Sequence, residues 1–108
     1  MSNIFDIEGI DVSKEEFFLK LFDSDNIIIE KIVSQGQVTK EGEYMQQDFA
    51  EWVILLEGEA NLDIEQRGEL FLKKGDYVYI EPKQRHRILY TSVEPKCLWL
   101  AFHFKCIN

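Results

Sequence analysis

A glutamate and a histidine carry the chemical interest of this 108-residue chain. Glu51 opens the run Glu51-Trp52-Val53-Ile54-Leu55-Leu56-Glu57-Gly58. His86 closes the run Gly75-Asp76-Tyr77-Val78-Tyr79-Ile80-Glu81-Pro82-Lys83-Gln84-Arg85-His86. Each stands on a predicted strand tied to a glycine turn, which is how a small β-barrel brings an imidazole and a carboxylate to one point. Imidazole, carboxylate and an amide oxygen, such as that of Gln47 four residues before Glu51, can each ligate iron, manganese, nickel or zinc. The amide carries no charge, so it would be the weak member. Without a metal, His86 and Glu51 would instead form a satisfied, buried hydrogen-bonded pair.

Other groups compete for a role. His103 shares strand parity with Trp99 and Ala101, while Leu98, Leu100, Phe102 and Phe104 occupy the opposite face and read as core. If the Ala101 face turns inward instead, His103 approaches His86. Lys83, Arg85 and Arg87 surround His86, either as a clamp for a carboxylate or phosphate or as solvated residues alternating away from it. Tyr44, Trp52, Tyr77, Tyr79 and Tyr90 are either core aromatics or the lining of a ligand cavity. Tyr90 has the strongest claim by parity with His86 and Ile88. Asp48 and Glu51 are spaced as a possible acid/base pair, which would require one of them to be buried. No nucleophile elbow, phosphate loop or dinucleotide fingerprint is present.

Composition limits the function classes. The formal charge of −8 argues against nucleic acid and anionic membranes as partners, because phosphate contacts need clustered Lys and Arg. No apolar run is long enough to cross a bilayer as a helix, and the N-terminus lacks signal-peptide regions. Cys97 and Cys106 fall on one predicted strand, about 30 Å apart along its length, too far for a disulfide. Two unpaired cysteines and no leader predict a cytoplasmic protein.

The elements that must position these residues follow from hydrophobic period. Ser13 and Glu16 are spaced as a capping box, Val12 and Phe17 as a hydrophobic staple, and Phe17, Phe18, Leu21 and Phe22 as one apolar stripe. The predicted result is a short N-terminal helix ending at Asp23 to Asn26. Residues 36–48 are polar and irregular. The strand pattern covers Ile27 to Gln35, Glu51 to Leu56, Ala60 to Glu65, Leu70 to Leu72, Tyr77 to Ile80, His86 to Thr91 and Cys97 to Cys106. One helix and about seven short strands with evenly spaced turns predict a single all-β domain, a sandwich or barrel. Residues 1–26 would form an arm and helix packed on a barrel of residues 27–108.

These residues resemble the cupin superfamily. Glu51 and Gly58 match the end of its first motif. Gly75, Asp76, Pro82 (one position from the usual proline) and His86 match most of the second, and Tyr90 stands where an asparagine is frequent. The stretch expected to carry two histidines reads Met45-Gln46-Gln47, with Gln47 at the second position. The chain is similar, nearly end to end, to small single-domain bacterial cupins of poorly defined function. It shares their Ile-Phe-Asp opening, Phe-rich helix, a strand like Ile29 to Ser34, Glu51-Trp52-Val53 with Leu55, His86-Arg87 and Trp99-Leu100-Ala101. Where that group carries Trp-Tyr-Asp-Gln-Asp, this chain has Tyr44-Met45-Gln46-Gln47-Asp48, and Gln46 removes a carboxylate.

The resemblance implies a double-stranded β-helix, a jelly-roll barrel, with a site in its mouth. It also implies a homodimer formed through a barrel face or exchanged N-terminal strands. The expected function is binding of a small molecule among Gln47, Glu51, His86, Tyr90 and Tyr44, with a divalent transition metal optional. The alternative is a metal-dependent enzyme, a dioxygenase or an isomerase/epimerase of small polar substrates, with the metal on His86, Glu51 and Gln47. A third possibility is a barrel that serves only assembly.

Overall fold

The computed structural model describes residues 2–105. Eight strands follow one another: β1 Phe17–Asp23, β2 Ile27–Ser34, β3 Ala50–Glu57, β4 Ala60–Ile64, β5 Gly68–Leu72, β6 Tyr77–Ile80, β7 His86–Thr91 and β8 Cys97–Phe104. They form two antiparallel sheets, a five-stranded one in the order β1-β2-β8-β3-β6 and a three-stranded one in the order β5-β4-β7. The predicted all-β fold is present, with strands β2 to β8 close to their predicted limits.

The N-terminal helix is not. Residues 17–23 pair with β2, from Phe17 opposite Val33 to Asp23 opposite Ile28. The capping chemistry is spent elsewhere. Ser13 takes Asp11 as partner through both its backbone N–H and its hydroxyl, and Glu16 accepts the hydroxyl of Ser34 at 2.8 Å. Phenylalanine is at home in strands, and pairing with a β-branched partner strand outweighs a stripe that also fits helical spacing. A bulge between Lys20 and Phe22 lets Phe17, Leu19 and Phe22 share the outer face of the sheet, while Phe18 lies opposite Ile32 on the inner face.

The main core lies between the sheets. Val53, Leu55, Trp99 and Ala101 of the larger sheet meet Leu62, Ile64 and Leu72 of the smaller one. The inward face of β8 is therefore the Trp99, Ala101 and His103 face. Leu98, Leu100, Phe102 and Phe104, expected as core, are on the outer side. Part of that side is covered by the N-terminal arm, where Val12, Ile7 and Ile10 pack against Val33, Leu98 and Phe17. The charged head of buried Lys31 is tied down there by the backbone carbonyl of Asp6.

Gly58 makes the β3–β4 turn with φ +91°, a left-handed conformation that disfavours any side chain. A Cβ there would lie 2.9 Å from Cys97 Cα and 2.9 Å from Ser92 Oγ. Cys97 is a free, buried thiol whose sulfur donates to the Glu59 carbonyl at 3.2 Å. Cys106, predicted to be unpaired, lies outside the described residues.

Candidate functional site

The hollow between the sheets is a cavity of about 200 Å³. Its walls are mostly apolar: Ile32, Val53, Leu62, Ile80, Ile88 and Trp99. Five titratable side chains also line it, Glu16, Glu30, Glu51, His86 and His103, together with Gln47. Phe18 and Met45, both substantially exposed, lie at its rim.

His86 begins β7 and is only 5% exposed. Its backbone makes two bonds with Met45, N–H to the Met45 carbonyl at 3.0 Å and carbonyl to the Met45 N–H at 2.7 Å. The irregular segment before β3 is thereby stitched along β7, and Thr39 adds a similar pair of contacts to Ile88. The imidazole Nδ1 lies 3.1 Å from the Gln84 carbonyl oxygen. A carbonyl only accepts, so Nδ1 carries the proton and Nε2 of the neutral ring is left as an acceptor. Among the described residues Nε2 has no hydrogen-bond partner.

Glu51 comes from β3, which alternates Glu51, Val53 and Leu55 into the hollow. Its Oε1 accepts the side-chain N–H of Gln47 at 2.9 Å. His103 stands directly across the β3–β8 pairing from Glu51, with Nδ1 3.9 Å from Glu51 Oε1. On its other edge Nε2 is 3.3 Å from Glu30 Oε1, and Phe49 meets the ring edge-on. Nδ1 of His103 is buried without a hydrogen-bond partner among the described residues. Glu16, just before β1, accepts from Ser34, whose oxygen also receives the Trp99 indole N–H at 3.2 Å.

Gln47, Glu51 and His86 thus share one cavity. His86 and Glu51 make no mutual hydrogen bond; each is held by a different group. Tyr90 and Tyr44 are elsewhere. A bulge at Leu89 sets Ile88 opposite Leu62 but Tyr90 opposite Asn61, so Tyr90 turns outward and is 48% exposed. Tyr44 lies on the outside of β7 beneath Arg85 and Arg87, whose guanidinium carbons are 4.9 and 5.4 Å from its ring centroid. Arg85 also pairs with Glu65 at 3.5 Å. None of Lys83, Arg85, Arg87 and Asp48 lines the cavity.

Glu30 and Glu16 are the site residues that sequence patterning did not single out. The available signal was parity: Glu30 alternates with Ile32 and Ser34, so an inward-facing Ser34 carries Glu30 inward as well.

A metal centre needs several donors converging on one point. Among the described residues, no group of three or more His, Cys, Asp and Glu side chains is placed to hold an ion. The Gln47 amide turns its N–H, not its oxygen, to Glu51 Oε1, so the two side chains form a hydrogen bond with each other rather than converging as oxygen donors on one ion. These residues do not fit a preformed metal site.

Residues 32–103 match the family model described as "Cupin domain". No curated protein matches the sequence. Among solved structures, a protein from Ralstonia eutropha JMP134 provisionally named a mannose-6-phosphate isomerase is 27% identical, with a TM-score of 0.89 over 98% of this chain and 98% of that one. An RmlC-like cupin from Shewanella frigidimarina NCIMB 400 is 14% identical, with a TM-score of 0.73 over 91% of this chain and 83% of that one. A polyketide cyclase from Streptomyces resistomycificus is 18% identical, with a TM-score of 0.70 over 86% of this chain and 67% of that one. The last two share the fold.

Proposed function

Because the chain belongs to the cupin domain family, we propose that it binds a small organic molecule in the hollow between its two sheets, with no metal required. The observation that carries this reading is the pairing of an apolar chamber with a buried imidazole that lines it and keeps one nitrogen without a partner among the described residues. An engineered apolar cavity of about 150 Å³ takes up benzene, so a volume near 200 Å³ suits a ligand of one ring or a short chain. Apolar walls would supply most of the affinity, and His86, Glu51 and Gln47 would fix orientation.

A direct test uses millimolar benzyl alcohol with the full chain, followed by amide chemical shifts. Shifts confined to Val53, Leu62, Ile80 and their neighbours, and abolished when Val53→Trp fills the chamber, are expected. Absence of any such shift, with benzyl alcohol and with charged aromatic probes of the same size alike, would refute the reading.

The isomerase or epimerase alternative draws on the same His86, whose free Nε2 can accept a proton, and on the name of the Ralstonia relative. Exchange of a ligand C–H for solvent deuterium, lost in His86→Ala, would establish it over simple binding.

The expected homodimer is proposed to form on the outer face of the larger sheet. Trp52, Ile54, Tyr77, Tyr79, Leu100 and Phe102 share that part of it, with Arg67 and Glu81 beside Trp52, Tyr77 and Tyr79 at its edge. Trp52 packs against Tyr77 at 5.1 Å and Phe102 at 5.7 Å between ring centroids. In a chain with 30% charged residues, an aromatic face of this kind marks an interaction surface.

A further inference from the structure

Resting on the binding reading, we propose a charge class for the ligand: the chamber takes a small amine, as its ammonium ion, on an apolar body, and rejects carboxylates and phosphates. The lining holds three carboxylates, Glu16, Glu30 and Glu51, and no lysine or arginine. Two imidazoles cannot balance them, since the sum stays negative even with both rings protonated. A partly desolvated negative chamber favours a cation and penalises an anion, because water screens little there.

The acidic groups are not the whole case. His86 is a second, independent pointer to a donor-bearing ligand, since it is 95% buried by its 5% exposure and its proton is committed to the Gln84 carbonyl. In the neutral form of this cavity-lining ring the remaining nitrogen, Nε2, is an acceptor. Gln47 spends an N–H on Glu51, and His103 is aligned between Glu30 and Glu51. The polar atoms left for a ligand are therefore dominated by acceptors: carboxylate oxygens and one imidazole lone pair. An ammonium group presents three donors and a positive charge, and complements that set. A phosphate presents acceptors and negative charge, and would meet no cationic clamp, because Arg85 and Arg87 are engaged with Tyr44 on the far side of β7.

The test is a calorimetric titration of the full chain with three molecules of one size: benzylamine, benzyl alcohol and benzoate, with mannose 6-phosphate as a fourth probe. Benzylamine is expected to bind at least tenfold more tightly than benzyl alcohol, with benzoate and mannose 6-phosphate not binding. Glu51→Gln and Glu30→Gln keep shape while removing charge. Each should cost benzylamine at least tenfold in affinity and weaken benzyl alcohol by a clearly smaller factor, with circular dichroism confirming the fold. Equal or tighter binding of benzyl alcohol or benzoate would overturn the charge class and leave the binding chamber intact. Failure of all four to bind would overturn both readings.

Discussion

His103 faces Glu51 across the β3–β8 pairing and reaches Glu30 with its other nitrogen, so a single imidazole stands between two inward-facing carboxylates. Cross-strand neighbours of this kind are the unit by which a sheet stabilises itself. Removing the ring would leave two partly buried acids without the group between them. His103→Ala is expected to destabilise the protein by about 1–3 kcal/mol, read from urea unfolding midpoints. His103→Gln, which keeps a donor, should recover part of the loss. Equal stability of the alanine variant would show that the contact contributes nothing.

Gly58 offers a sharper case. A methyl group there meets the Cys97 backbone and the Ser92 hydroxyl at 2.9 Å, and the φ of +91° adds a backbone penalty of about 1–2 kcal/mol. Gly58→Ala should therefore lose about 2 kcal/mol or more, with Gly75→Ala, which meets nothing within 4 Å, losing less. The order of the two thermal midpoints checks the prediction.

Ser13→Ala distinguishes the observed N-terminus from a helical one. A helix cap lost to alanine costs about 1 kcal/mol. Here Ser13 makes only exposed bonds to Asp11, so the change should stay within about 0.5 kcal/mol. A larger loss in chemical denaturation would contradict strand β1.

Ser34→Ala probes the buried end of the chamber. The Trp99 indole N–H and Glu16 both depend on that hydroxyl, and an unpaired buried donor costs about 1–3 kcal/mol. Red-shifted or broadened tryptophan emission should accompany the loss.

Tyr77→Lys tests the outer face. The side chain is 63% exposed in one chain, so folding should be unaffected. A lysine buried against a second copy would be unpaired, and sedimentation velocity should show the variant as monomer where the parent is dimer. A parent that is already monomeric would dispose of the interface.

Seven of the eight strands were legible because glycine turns and period-two alternation are local signals. β1 was not, since Phe17, Phe18, Leu21 and Phe22 fit a helical stripe and the deciding contact, pairing with β2, is not local. Placing Glu51, Gln47 and His86 together followed from motif spacing. Which face of β8 turns inward was left open by the sequence because both of its faces are apolar: the outer one is covered by the arm and by exposed aromatics, while small Ala101 and Cys97 let the sheets approach on the inner one. His103 is a site residue because it lies on that inner face. Tyr90 left the site for a different reason, one extra residue in β7 that no alternation rule anticipates.

That extra residue, Leu89, divides β7 into two lengths with opposite handedness of display. The first half addresses the chamber with His86 and Ile88, and the second sends Tyr90 to solvent while Thr91 points in. Pairing Leu89 itself with Asn61, so that the bulge is flattened into the ladder, would carry Tyr90 opposite Ala60 and swing a phenol into the hollow, shrinking it and adding a hydroxyl. The shape of this hollow thus depends on the register of a strand as well as on the identity of its side chains.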